Sequence, residues 1–116
     1  MSPRVWRHRI TDIIDAIKKI QQYVEGMDFD AFQKDSRTID AVVRNFIVIG
    51  EAARNVPEEI STGHPSIPWR IMADMRNFAV HEYWGMEFST LWETIAHDLP
   101  PLLPLLEELL QEKGPS

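Results

Sequence analysis

Apolar residues in this chain recur at intervals of three and four and never alternate with polar ones, which confines it to packed helices. Ile10, Ile13, Ile14, Ile17, Ile20 and Val24 form one such face, with Asp12, Asp15, Lys18, Lys19 and Gln22 on the wet side. That pattern predicts a first helix from about Arg4 to Glu25, stopped by Gly26. The stretch from Asp28 to Lys34 is long enough for a turn of helix. Ser36 is placed to cap a second helix with Ile39, Val42, Val43, Phe46, Ile47, Gly50 and Ala53 inward, ending near Asn55 because Pro57 cannot continue it. A glycine at position 50 costs a helix about 1 kcal/mol against alanine, a sign of a close helix contact. The segment from Pro57 to Pro65, broken by Gly63, reads as a connection. Pro68 suits the first position of a third helix, with Ser66 or Ile67 just outside. Its buried face is Ile71, Met72, Met75, Phe78 and Ala79, and it should end near His81 or Tyr83, before Gly85. A fourth helix near Ser89 carries Leu91, Trp92, Ile95 and Leu99, is kinked or broken at Pro100-Pro101, and continues as a leucine stripe to the C-terminus. The fold expected is all-α, an up-and-down bundle of four to five helices.

Composition narrows the function. The chain has 116 residues, enough for one domain spanning 1–116 but small enough that pairing into a dimer is expected. With no cysteine there are no disulfides, thiolate metal sites or cysteine nucleophile. The charged start from Met1 to Arg9 does not resemble a signal peptide, and no stretch approaches the roughly 18 apolar residues of a membrane span, so a soluble, cytoplasmic protein is expected. The net charge of −6 argues against a protein that coats nucleic acid, and leaves room only for a small, locally positive site.

One run of residues can do chemistry. Asn77 and His81, four apart, share a helix face; Arg76 lies to one side, and Tyr83, seven beyond it, returns to the Arg76 side if the helix persists. Histidine, whose ordinary pKa is about 6.5, can take the proton of a ribose 2′-OH. The 2′ oxygen then attacks its own phosphate, so neither a metal nor a water is required, and DNA is a poor substrate. Arginine can hold the phosphate bidentately and stabilise the charge that builds there. Asparagine can orient the ribose or the histidine. Helix physics alone also accounts for these residues, as solvated or capping groups with a histidine that meets the C-terminal dipole.

Arg76-Asn77-x-x-x-His81-x-Tyr83 resembles the R-N-x-x-x-H-x-Y signature of the HepT-like toxins of the HEPN superfamily. Ile49-Gly50-Glu51-Ala52-Ala53, His64-Pro65-Ser66-Ile67-Pro68-Trp69, His81-Glu82-Tyr83-Trp84-Gly85 and Asp98-Leu99-Pro100 match further family segments in the expected order, so the resemblance covers nearly the whole chain. It implies a HEPN-type bundle and a homodimer with two copies of the motif facing across an active-site cleft. It implies a metal-independent endoribonuclease, without a cofactor, in which Arg76 and His81 are catalytic and Asn77 supports them. It further implies the toxin half of a toxin–antitoxin pair, whose antitoxin, a small MNT-type nucleotidyltransferase, silences it by transferring AMP from ATP to Tyr83. Two-fold symmetry would bring both copies of Arg76 together, which answers part of the charge objection. Arg44 or Arg54 could add to that cleft, and Glu51 stands either beside Arg76 as its orienting partner or on the open surface.

Other readings are weaker. His8, His64, His81 and His97 include no pair at metal-binding helical spacing, so no metal site is expected. Trp6, Trp69, Trp84 and Trp92 read mostly as core or dimer seam, with base stacking by Trp84 the less favoured use. The leucine-rich tail with Glu107 and Glu108 reads as an amphipathic helix for the bundle or a partner. The alternative of another class is a non-catalytic helical adaptor that binds a nucleotidyltransferase.

Overall fold

In the computed structural model, which describes residues 3–112, the isoleucine stripe becomes α1 (Pro3–Tyr23), with Ile10, Ile13, Ile17 and Ile20 wholly enclosed. The helix stops two residues short of the expected Glu25, and Gly26 takes a left-handed φ of 78° in the turn that follows. The Asp28–Lys34 segment does form a helix, α2 (Phe29–Lys34), capped by the Asp28 carboxylate. Next come α3 (Ser36–Arg54), α4 (Glu58–Gly63) and α5 (Trp69–Gly85). α6 (Phe88–Glu93) runs into a π-helical turn, Thr94–Asp98, and α7 (Leu102–Gln111) closes the fold. Among the described residues there is no strand; the main helices pack up-and-down into an elongated body of 47 × 25 × 21 Å.

Several expectations are corrected. Asp35, not Ser36, caps α3: its carboxylate accepts the Thr38 N–H at 3.1 Å, and that bond holds its pKa below the ordinary value. A carboxylate at the positive end of the helix does this better than a hydroxyl. The Pro57–Pro65 connection contains a short helix of its own, α4. Pro68 is the cap of α5 and not its first residue. Ile49 takes the core place expected of Ile47, and Ile71, expected inside, is 63% exposed. The Pro100-Pro101 pair breaks the last helix outright, and the Leu99 N–H bonds to Thr94 O at 3.0 Å in the π turn before it. Proline lacks the N–H that would carry the ladder onward.

The leucine tail belongs to the bundle. α7 buries Leu102, Leu106 and Leu109 and lies along α1. Arg7, stacked on Trp6 at 4.6 Å, donates to the carbonyls of Leu110 at 2.7 Å and Glu112 at 2.6 Å, closing the end of α7. His64 bonds Ile60 O and the Glu112 carboxylate, and both raise its pKa. Its carbonyl accepts the Trp69 indole N–H at 3.0 Å, so the His64–Trp69 segment is a corner that aims α5.

α3 runs through the middle, with α1 on one side and α5 on the other. Phe46 meets Phe78 edge-on across the α3–α5 seam at 6.4 Å. The seam is closest at Gly50, where a Cβ would stand 2.8 Å from both Cβ and N of Arg76 and 3.1 Å from Ala73 O. The glycine expected to mark a close contact does so. α5 then persists to Gly85, past the predicted end. It closes with Met86 in the left-handed region at φ 60°, the Met86 N–H to Tyr83 O at 3.1 Å and the Glu87 N–H to Glu82 O at 2.9 Å.

Gly50→Ala is expected to destabilise the protein by about 1–2 kcal/mol, because overpacking against immovable backbone outweighs the gain in helix propensity. Urea unfolding should rank glycine above alanine above valine at this position, and a more stable alanine variant would contradict the close seam.

Candidate active site

Because α5 stays helical through Gly85, the geometry assumed for the Arg76–Tyr83 run holds. Gly50 lets α5 settle against α3 at the very residue where Arg76 leaves the helix. Its guanidinium lies over α3, with Nη1 3.1 Å from Oε1 of Glu51 and both side chains 47% exposed. The open alternative for Glu51 is thereby resolved: it sits at the surface and pairs with Arg76. An ion pair this wet contributes only about 0.2–1 kcal/mol, so it orients the guanidinium without locking it away from an incoming anion.

Tyr83 emerges two turns further on, about 10 Å along the axis, on the same side of α5. It meets the start of α3 beside Asp40. Hydrogen bonding to the Asp40 carboxylate, then that carboxylate's charge, then burial raise the phenol's pKa above its ordinary value. Asn77 and His81 project from an adjacent face; both are exposed, and neither side chain has a hydrogen bond or ion pair among the described residues. The structure therefore divides the run into two pairs. Arg76 is paired with Glu51 of α3 and Tyr83 stands half-buried in a groove shared with Asp40 of α3, while Asn77 and His81 stand open to solvent. Arg76 and His81, five residues apart, diverge by about 140° around the helix.

The second-helix arginines separate. Arg44 faces α1, in a shallow recess with Asp12, Asp15 and Lys19, away from α5. Arg54 faces the start of α5, where it and Arg70 line an open groove of about 470 Å³ with Ala73 and Asp74. Glu51 and Arg76 lie one turn along from this groove, on α3 and α5 respectively. Arg70 and Asp40 are the residues that sequence reasoning missed. Each gains its place from the antiparallel register of α3 and α5, and the only hint of that register in the sequence was Gly50. Among the described residues no group of three or more His, Asp or Glu side chains gathers to hold a metal ion. None of the described helices is long and apolar enough to cross a membrane.

A family model described as "Ribonuclease HepT-like" matches residues 13–109. A "Probable ribonuclease HepT" of Thermococcus cleftensis is 39% identical over 100 residues, covering 86% of this chain and 91% of the relative. A "Putative RNase" of Methanocaldococcus jannaschii is 35% identical over 101 residues, covering 87% of this chain and 84% of the relative. Another "Putative RNase", from Caldanaerobacter subterraneus, is 35% identical over 107 residues, covering 92% of this chain and 96% of the relative. No solved structure matches the chain.

The Asp40–Tyr83 pair makes a prediction of its own. A phenol whose folded pKa is raised adds stability that is fully present below its unfolded value near 10 and is lost as pH rises through the folded value. Asp40→Asn should therefore let Tyr83 ionise at lower pH, seen in the phenolate absorbance with Tyr83→Phe identifying the band. Titration curves of parent and Asp40→Asn that coincide would remove Asp40 as the partner.

Proposed function

Since the chain belongs to the ribonuclease HepT-like family, we propose that it is a metal-independent endoribonuclease, the toxin of a toxin–antitoxin pair, acting in the cytoplasm as one HEPN-like domain over residues 1–116. The observation that carries this reading is the exposed Arg76, Asn77 and His81 on one unbroken helix, within the stretch that matches the family. His81 takes the proton of a ribose 2′-OH, and the 2′ oxygen attacks the adjacent phosphorus. The bond to the 5′ oxygen breaks, leaving a 2′,3′-cyclic phosphate and, after protonation, a free 5′-OH. Arg76 binds the phosphate and meets its growing charge, Glu51 positions the guanidinium, and Asn77 orients the ribose. Arg54 and Arg70, in the groove next along α5, supply positive charge for the strand's further phosphates.

The divergence of Arg76 and His81 around α5 favours a cleft completed by a second copy, so that one strand meets groups from two helices. The exposed Ile71, on a stripe with Phe78 beside the Asn77–His81 face, suits the seam of that homodimer better than open water. The off-switch is an MNT-type nucleotidyltransferase antitoxin. The Tyr83 hydroxyl attacks the α-phosphorus of ATP, pyrophosphate leaves, and AMP remains on the oxygen. That adds bulk and negative charge within reach of the RNA path.

Two experiments test the reading. Purified parent should cut RNA equally well in EDTA, and His81→Ala and Arg76→Ala should each lose about 100-fold or more in rate. Cleavage that survives both substitutions, or that needs a divalent metal, defeats the proposal. A protein that cuts nothing, leaves cells unharmed when expressed alone and still binds the nucleotidyltransferase tightly would be the adaptor instead. Incubated with that partner and ATP, the parent should gain the mass of one or more AMP groups while Tyr83→Phe gains none; equal gains would put the modification elsewhere.

A further inference from the structure

A groove of about 360 Å³ opens between the start of α3 and the end of α5, within the range of small-ligand sites and unused by the reaction above. Ile39, Trp84, Met86 and Phe88 form its apolar walls, and Asp40 and Tyr83 share it. Trp84 and Met86 are the most exposed large apolar side chains among the described residues, at 77% and 72%. The Trp84 ring stands edge-on to Tyr83 at 5.3 Å, which fixes its orientation beside the groove. Met86 holds its place in a left-handed conformation, φ 60°, which costs a non-glycine residue about 1–2 kcal/mol. Gly85, which would adopt that conformation freely, stands one residue earlier, inside α5. An exposed apolar side chain kept at a strained position points to use.

We propose that this groove is a nucleobase subsite, in which Trp84 stacks the base next to the scissile phosphate and the Asp40 carboxylate accepts a hydrogen bond from that base's amino group. The inference rests on the ribonuclease reading and deepens it by naming what the enzyme prefers to cut beside. An open aromatic face with apolar walls takes the flat π face of an unpaired base, as in other single-strand binders. A carboxylate only accepts, so it pairs with the amino groups of cytosine, adenine or guanine, whereas uracil offers only its N3–H, set between two carbonyl oxygens that repel the carboxylate. Gln33 and Ser36 line the same groove and can bond the remaining edge atoms. Lys34, also in the lining, is held at 3.1 Å by Asp30 in an exposed pair weak enough to yield to a phosphate. Trp84 lies three residues beyond His81, about 4.5 Å along α5, so the stacked base belongs to a nucleotide at the cut. An adenylate on Tyr83 would place its own base at the same groove and keep RNA out.

The test is fluorescence anisotropy with labelled oligocytidylate, oligoadenylate and oligouridylate, in a His81→Ala background so that the RNA stays whole. Cytidylate and adenylate should bind about tenfold tighter than uridylate. Trp84→Ala should weaken all three about tenfold, and Trp84→Phe should restore most of that loss. Asp40→Asn should abolish the preference between bases. Both side chains are exposed, so the fold should survive, as far-UV circular dichroism would check. If the parent cleaves RNA but Trp84→Ala binds all three as before, or Asp40→Asn keeps the preference, the subsite is wrong and the nuclease stands. A Trp84→Ala protein that falls apart from dimer to monomer in sedimentation would make the groove a seam between copies and also overturn it. A parent that neither binds nor cuts RNA removes the ribonuclease reading and the subsite with it.

Discussion

The close passage of α5 over Gly50 decides where every candidate group stands. With no side chain at that point, the backbone of α5 can approach until Arg76 itself rests against α3. The rest of the seam follows from that anchor. Moving along α3 toward its start, Glu51 meets Arg76, Phe46 meets Phe78, and Asp40 meets Tyr83. Toward its end, Arg54 comes beside Arg70. A longer side chain at position 50 would push the helices apart and disturb all of these pairs together, because they share one interface and packed interiors do not yield locally.

An acidic protein and an anionic substrate are reconciled by distribution more than by total. The net charge of −6 is felt at long range, where salt over about 10 Å screens it. Close to α5 the balance is different: Arg54 and Arg70 line one groove with Asp74, and Arg76 stands at the surface one turn further along, paired with Glu51. Arg76 is paired loosely at the surface, so a phosphate can exchange for Glu51 at small cost. A buried pair would have held the arginine too firmly to serve that proposed role.

Much of the fold was legible because it depends on local physics. The isoleucine face of α1, the seam glycine of α3 and the leucine stripe of α7 all follow from 3.6-residue periodicity, and each forms. The misreadings came where local rules offered near-equal options. Asp35 and Ser36 are both good caps, and the carboxylate won. Gly85 looked like the stop for α5, yet the capping bonds close one residue later on Met86. Ile71 obeyed the helical period for burial and still faces outward, because among the described residues no helix covers that side.

By itself, then, the sequence determined the long helices, the order in which they occur, and the helical spacing of Arg76, Asn77, His81 and Tyr83, since backbone geometry makes these a local matter. It could not determine which of those four stand against α3 and which face open solvent. That depended on partners far away along the chain, Glu51 for Arg76 and Asp40 for Tyr83. Nor could it show that Asp40, Trp84 and Met86 share one groove. Such pairings are set by the register of two packed helices, and register is decided by tertiary contact at Gly50 and not by any local propensity.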